Sequence, residues 1–412
     1  GFGRTGTVDW QTGSIKTATF TAVSGEGYFV NTNGGAVTVN LPAGVAGAIV
    51  GLKDYAGTWD SNAVTLNPNG SDKIGGGADS DPTLESKGGS TLLVFVDSTQ
   101  GWLTTQESVT ESPSGIQTFV SATGGTITTS GDCKIHTFTG PGTFAVSQIA
   151  SDAANNIMSH VVVAGGAGGG GHGGAGGGAG GFREVKNPAT PYTASPLDGY
   201  PSSPNRVTVT ATSFPIIVGG GGAGGCNTKG VSGGVSTFST VTSAGGGGGG
   251  GGHPAPNYAD AASGGSGGGG GCSSGKSGGS GNTPPVSPPQ GNNGGNTGDP
   301  FGGGGGGGAT AVGAVCATIG GAGGAGATSS IIASPTAYAG GGGGSKPGIP
   351  ADGGGAGGTG GGGKGGNTSG TMPSNSQGTT NTGGGGGGNH GGPPAFGGAG
   401  GSGIVIIRYK FQ

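Results

Sequence analysis

The run HVVVAGGAGGGG at 160–171 carries the chain from an apolar strand straight into glycine, and its reading decides the fold. Between Val161 and Tyr409 the same transition recurs: FPIIV (214–218), FSTVTSA (238–244) and IIASPTAYA (331–339) each lead into glycine. Glycine-only blocks fill 245–252, 302–308 and 383–388. Ordering a residue costs roughly 1–2 kcal/mol and glycine is the most expensive to order, so a solitary run in water stays a coil. Extended glycine strands in the polyproline II conformation have no internal hydrogen bonds, but without side chains they can approach until each N–H meets a neighbouring C=O. Such a bond contributes a net of roughly 0.5–1.5 kcal/mol, so only a dense array of strands can hold itself together.

The interruptions separate an array from a flexible linker, the competing reading. They repeat irregularly as a β-branched or aromatic cluster, an alanine, a glycine block and a polar loop rich in Pro, Asn and Ser, and a linker has no use for such anchors. Collagen is excluded because glycine holds no strict every-third register and the prolines are scattered.

Composition supports two regimes in one chain. Of 412 residues, 116 are glycine, 30% are hydrophobic and 8% are charged, too little apolar material for one ordinary core of this length. A net charge of -3 argues against nucleic acid or an anionic membrane as partner. No segment repeats apolar residues at helical spacing, and no apolar run approaches the roughly 18 residues of a membrane span. Gly1 in place of Met reads as a processed or partial product.

Residues 1–112 form a first unit. Short strands are expected at 16–21, 27–30, 36–41, 48–54, 63–66 and 92–96, with turn signals at 33–35, 42–44 and 67–70 between them. That spacing predicts an antiparallel β-sandwich or barrel-like module with Trp10, Trp59 and Trp102 in its core. Residues 113–412 form a glycine-rich unit: a β frame at about 118–165 and 403–411 around a polyglycine array at about 164–402. The closing strand, GIVIIRYKF (403–411), is too apolar for an open sheet edge and is expected to pair with the 118–165 strands. The fold class is therefore all-β plus polyglycine II, with almost no helix.

Two resemblances follow from these runs. GYFVNTNGGAVTVNLPAG (27–44), GLKDYAGTWDSNAVTLNPNGSDKI (51–74) and LLVFVDSTQGW (92–102) together resemble a β-module of fibre and other virion proteins of tailed phages. SGDCKIHTF (130–138), GTFAV (142–146), VVVAGGAGGGG (161–171), the glycine blocks and GGSGIVIIRYKF (400–411) resemble the glycine-rich domains of phage and environmental viral proteins. The resemblance implies hydrogen-bonded polyglycine II sandwiches whose connecting loops touch a host receptor. It further implies a virion location, extracellular when mature, other virion proteins as partners, and a homo-oligomer, by analogy with fibres a trimer.

No motif carries chemistry. GGCSSGKS (270–277) matches the phosphate-loop pattern, but glycines precede it and Ser, Gly and Pro follow it, whereas a working loop joins a buried strand to a helix. His136, His160, His172, His253 and His390 are isolated from carboxylates and cysteines, so neither a metal site nor a Ser/His/Asp set is expected. Cys133, Cys226, Cys272 and Cys316 lie far apart without a CxxC pair, which argues against zinc and fits free thiols, although spacing alone leaves a pairing open. Asn69-Gly70-Ser71 and Asn367-Thr368-Ser369 are formal glycosylation sequons and, in a bacterial virus, chance. Paired carboxylates for acid–base catalysis are missing, so neither an enzyme nor a cofactor is expected.

Binding interest falls on the loops, which hold Tyr192, Tyr200, His253, Tyr258, Phe301, His390 and Phe396 as candidate receptor contacts. A host surface glycan or outer-membrane protein is the expected partner. The competing reading for these rings is that they cap the ends of the glycine array. The leading function is host attachment by a virion fibre or tip protein, and the alternative is a decoration or filament subunit without a receptor.

Overall fold

In the computed structural model the chain divides into Gly1–Thr118 and Phe119–Gln412, and residues 8–76, 82–105, 118–252, 260–272, 275–298, 302–346, 353–367, 372–391 and 394–412 are described. The fold is all-β. Among the described residues helix is confined to two short 3-10 turns, Ala153–Asn156 and Ser203–Asn205.

The first unit contains β1 (Asp9–Trp10), β2 (Phe20–Thr21), β3 (Glu26–Val30), β4 (Val37–Asn40), β5 (Ile49–Asp54), β6 (Val64–Asn67), β7 (Thr83–Leu84), β8 (Ser90–Asp97) and β9 (Gly101–Thr104). Consecutive strands go to different sheets: one has the order β1-β3-β5-β8-β9, the other β2-β4-β6-β7. β1, β3 and β5 therefore run parallel, as do β2, β4 and β6, and only the closing strands are antiparallel. This corrects the antiparallel expectation for the unit. Short spacing suggests that neighbours in sequence pair, yet here each crossover between parallel strands is a strand of the opposite sheet, so the turn signals are corners of a coil. Both sheets share one core with Val30, Val39, Leu52, Trp59, Leu93 and Trp102. Trp10 is not part of it: 41% exposed on edge strand β1, its ring covers Gly27 and lies 5.2 Å from that of Phe29.

The second unit opens with β10 (Ser121–Thr123), β11 (Thr126–Ser130), β12 (Cys133–Phe138), β13 (Gly142–Gln148), β14 (Ile157–Val163) and β15 (Phe182–Val185). Then follow β16 (Val207–Thr208), β17 (Ser213–Ile217), β18 (Ser236–Phe238), β19 (Val241–Ser243), β20 (Ala327–Ser329), β21 (Thr336–Tyr338) and β22 (Ile404–Lys410). β22 lies between β12 and β14, antiparallel to both, in the order β11-β12-β22-β14-β15, with β16 on β14. Its side chains alternate between two buried faces. Val405, Ile407 and Tyr409 meet Phe144 and Phe238 of the β10-β13-β17-β18-β19 sheet, whereas Ile404 and Ile406 meet Phe182, Ile331 and Tyr338 beside the β20-β21 hairpin. A strand covered on both sides has no polar face, which accounts for the continuous apolar run.

Candidate functional site

The array is built by the direction of successive backbone bonds. From 165 to 171 the N–H groups donate in turn to Gly234, Gly401, Gly178, Val231, Gly398, Ala175 and Thr228, so the same neighbour returns every third residue. Three residues per turn is the repeat of a polyproline II helix. The carbonyls of this strand add three further neighbours, accepting from Gly246, Gly222 and Gly386 and again, three residues on, from Gly249, Gly225 and Asn389. Six strands thus surround it. The strand 174–181 likewise has six: it donates to 383–389, 244–250 and 304–307 and accepts from 164–170, 266–269 and 342–345.

Glycine is required by the closeness of this packing. A Cβ added at Gly165 would stand 2.0 Å from the Gly220 oxygen, and one at Gly248 1.9 Å from the Gly230 oxygen. Both are far inside van der Waals contact.

The strands run alternately away from the β frame and back. Strand 164–171 continues β14 for about 25 Å at about 3.1 Å per residue. The chain reverses at His172 and Gly173, whose φ values of 53° and 79° are left-handed, and 174–181 returns to feed β15. The glycine bundle thus has a framed end and a distal end.

The candidate residues fall at both ends. Tyr192 and Tyr200 follow β15 at the framed end. Tyr192 packs against the core with Phe182 and Tyr338, its hydroxyl donates to the Val185 carbonyl at 3.3 Å, and the Arg408 guanidinium lies 5.5 Å from its ring. Burial, with the Glu184 and Asp198 carboxylates, holds that hydroxyl well above the usual tyrosine range. Tyr200 is half-buried under Arg206, 4.3 Å from its ring. Both rings thus pack within the framed end.

His390 and Phe396 are at the distal end. The Asn389 N–H donates to Gly170, and Phe396 bridges Cys226 beside Asn227, whose N–H donates to Ala395. Phe396 is 55% exposed, whereas His390 is half-buried, and burial together with His172 pushes its pKa down. His253, Tyr258 and Phe301 lie outside the described residues. No group of three His, Cys, Asp or Glu side chains among the described residues is arranged to hold a metal ion.

A family model described as a glycine-rich domain matches residues 137–410, from β12 to the end of β22. The chain belongs to the glycine-rich domain family. No curated protein matches it. Within this glycine-rich domain the framed end is held by buried polar groups that sequence reading missed. Glu184, 2% exposed, accepts from the Ser195 N–H at 2.8 Å and the Ser329 hydroxyl at 2.5 Å. Arg408, also 2% exposed, donates to the Ile331 carbonyl at 3.1 Å and the Pro191 carbonyl at 3.0 Å. Nothing in local pattern marks these charges as buried.

A second missed feature was readable. On outer strands of the glycine-rich domain the side chains recur every third residue and face outward: Lys229, Ser232 and Val235; Asn293 and Asn296; Val312 and Val315; Ala356 and Thr359; all exposed. The signal is a larger side chain at every third position with glycine or another small residue mostly between, confined to single strands, which averaging over the whole unit conceals.

Proposed function

We propose that the chain is a non-enzymatic attachment protein of a tailed-phage fibre or tip, which meets a host surface glycan or outer-membrane protein through its distal loops. The observation that carries this reading is the six-neighbour bundle. Its strands offer almost no side chains for recognition but form a stiff post, and the post delivers a set of loops to the end opposite its β frame. Aromatic rings give large contact area at low entropy cost, so Phe396 is the foremost described contact, with His390 beside it. The first unit would then join the protein to other virion proteins.

The inward placement of Tyr192 and Tyr200 favours a second reading, a structural decoration or filament subunit without a receptor. Adsorption of particles carrying Phe396→Ala and His390→Ala, measured beside thermal stability, separates the two. Reduced adsorption at unchanged stability supports attachment, and unchanged adsorption supports the structural role.

A further inference from the structure

Most glycines in the described strands of the bundle are buried or half-buried. Gly220 and Gly221 are exposed. Among the described residues, their strand, 219–225, has three of its six neighbour positions filled, by 164–171, 228–234 and 397–403. The backbone N–H and C=O groups of Gly221 and Gly224, one turn apart, make no hydrogen bond with another described residue, and a Cβ added at Gly220 meets nothing within 4 Å. Other outer strands close their outward face with a side chain at every third position, as Val312 and Val315 or Asn293 and Asn296 do. Here the outward row is Gly220 and Ala223. Ile217 at 47%, Val231 at 56% and Val235 at 48% exposure stand around it.

We infer that this open face is an interface between two copies of the chain, formed by pairing the 219–225 strand of one copy with that of the other. An incoming strand must present backbone without side chains, because inside the bundle an added Cβ stands about 2 Å from a neighbouring carbonyl. A second copy brings such a strand on the same open face. A two-fold axis makes the pair antiparallel, the direction already used between 164–171 and 174–181. The outward methyl of Ala223 is compatible with close packing, since Ala167 and Ala175 are fully buried within the bundle. Unpaired backbone groups one turn apart supply the bonds and the three aliphatic side chains supply an apolar rim, as at a sheet edge awaiting another strand.

Sedimentation equilibrium of the full chain over a range of concentrations tests this. The wild type should self-associate, and Gly220→Lys and Ala223→Glu should each weaken association at least tenfold while melting at the wild-type temperature. Val312→Lys, on another outer strand, should associate as the wild type does. A wild type that stays monomeric, or association that survives both edge variants, overturns the inference. So does equal weakening by Val312→Lys. Should Gly220→Lys melt early, Ala223→Glu decides, because its side chain already points into solvent.

Discussion

His136 Nε2 lies 3.0 Å from the Tyr409 hydroxyl, joining β12 to the last strand across 273 positions of sequence. The other ring nitrogen, Nδ1, is 2.7 Å from the Gly124 carbonyl, so the imidazole connects three segments of the frame. An ordinary hydrophobe cannot replace it. His136→Leu leaves a buried tyrosine hydroxyl and a carbonyl without this partner and should destabilise the chain by about 1–3 kcal/mol, read by denaturant unfolding. An unchanged midpoint would show that the ring merely fills space.

A pH dependence follows from the buried histidines. Burial pushes the pKa of His160 down to about 4 and lowers that of His136. With folded values below the ordinary 6.5, the unfolded chain binds more protons in this window, so stability is complete above about 6.5 and falls as pH drops. For His160 the loss approaches about 3 kcal/mol near pH 4. Glu184, raised by burial, works in the opposite direction: it favours the folded state below its ordinary value and disfavours it as pH rises. Melting from pH 7 to pH 4 should fall for the wild type and fall less for His160→Leu. Parallel curves would refute the assignment to His160.

Two glycine substitutions test the density of the bundle. Gly248→Val places a Cβ 1.9 Å from the Gly230 oxygen, backbone against backbone, and should cost about 3 kcal/mol or prevent folding. Gly220→Ala enters open space and should stay within about 0.5 kcal/mol of wild type. Equal melting temperatures for the two would sink the close-packed description.

The buried carboxylate can be tested through its donor. Ser329→Ala removes the 2.5 Å hydroxyl contact to Glu184 and should destabilise by about 1–3 kcal/mol, whereas Glu184→Gln in the same background should recover part of the loss. Additive effects would mean that the two side chains do not act together.

Much of this organisation was legible. The anchors before each glycine block and the two-sided apolar composition of 404–410 mark a β frame without reference to any coordinates. The short strands of the first unit were placed within a residue or two at 26–30, 37–40, 49–54 and 64–67. Their direction was not legible, because nothing in a short strand states whether the next one joins the same sheet or the opposite one. Tyr192 illustrates a second limit. A ring in a Pro- and Ser-rich segment reads as exposed, but Arg408, 216 positions later, and the β20-β21 hairpin close over it.

The sequence by itself determined that glycine blocks had to order collectively or not at all, since each residue's entropy cost exceeds what an isolated strand can recover. It also determined the outward side chains, written every third residue on the outer strands. Only the tertiary structure decided which strands surround which. Glycine carries no side chain to specify a partner, so register is assigned by the β frame and the turns that deliver each strand, and by Ser236, Ser243 and Gln290 at the framed end, whose side chains bond the backbone there.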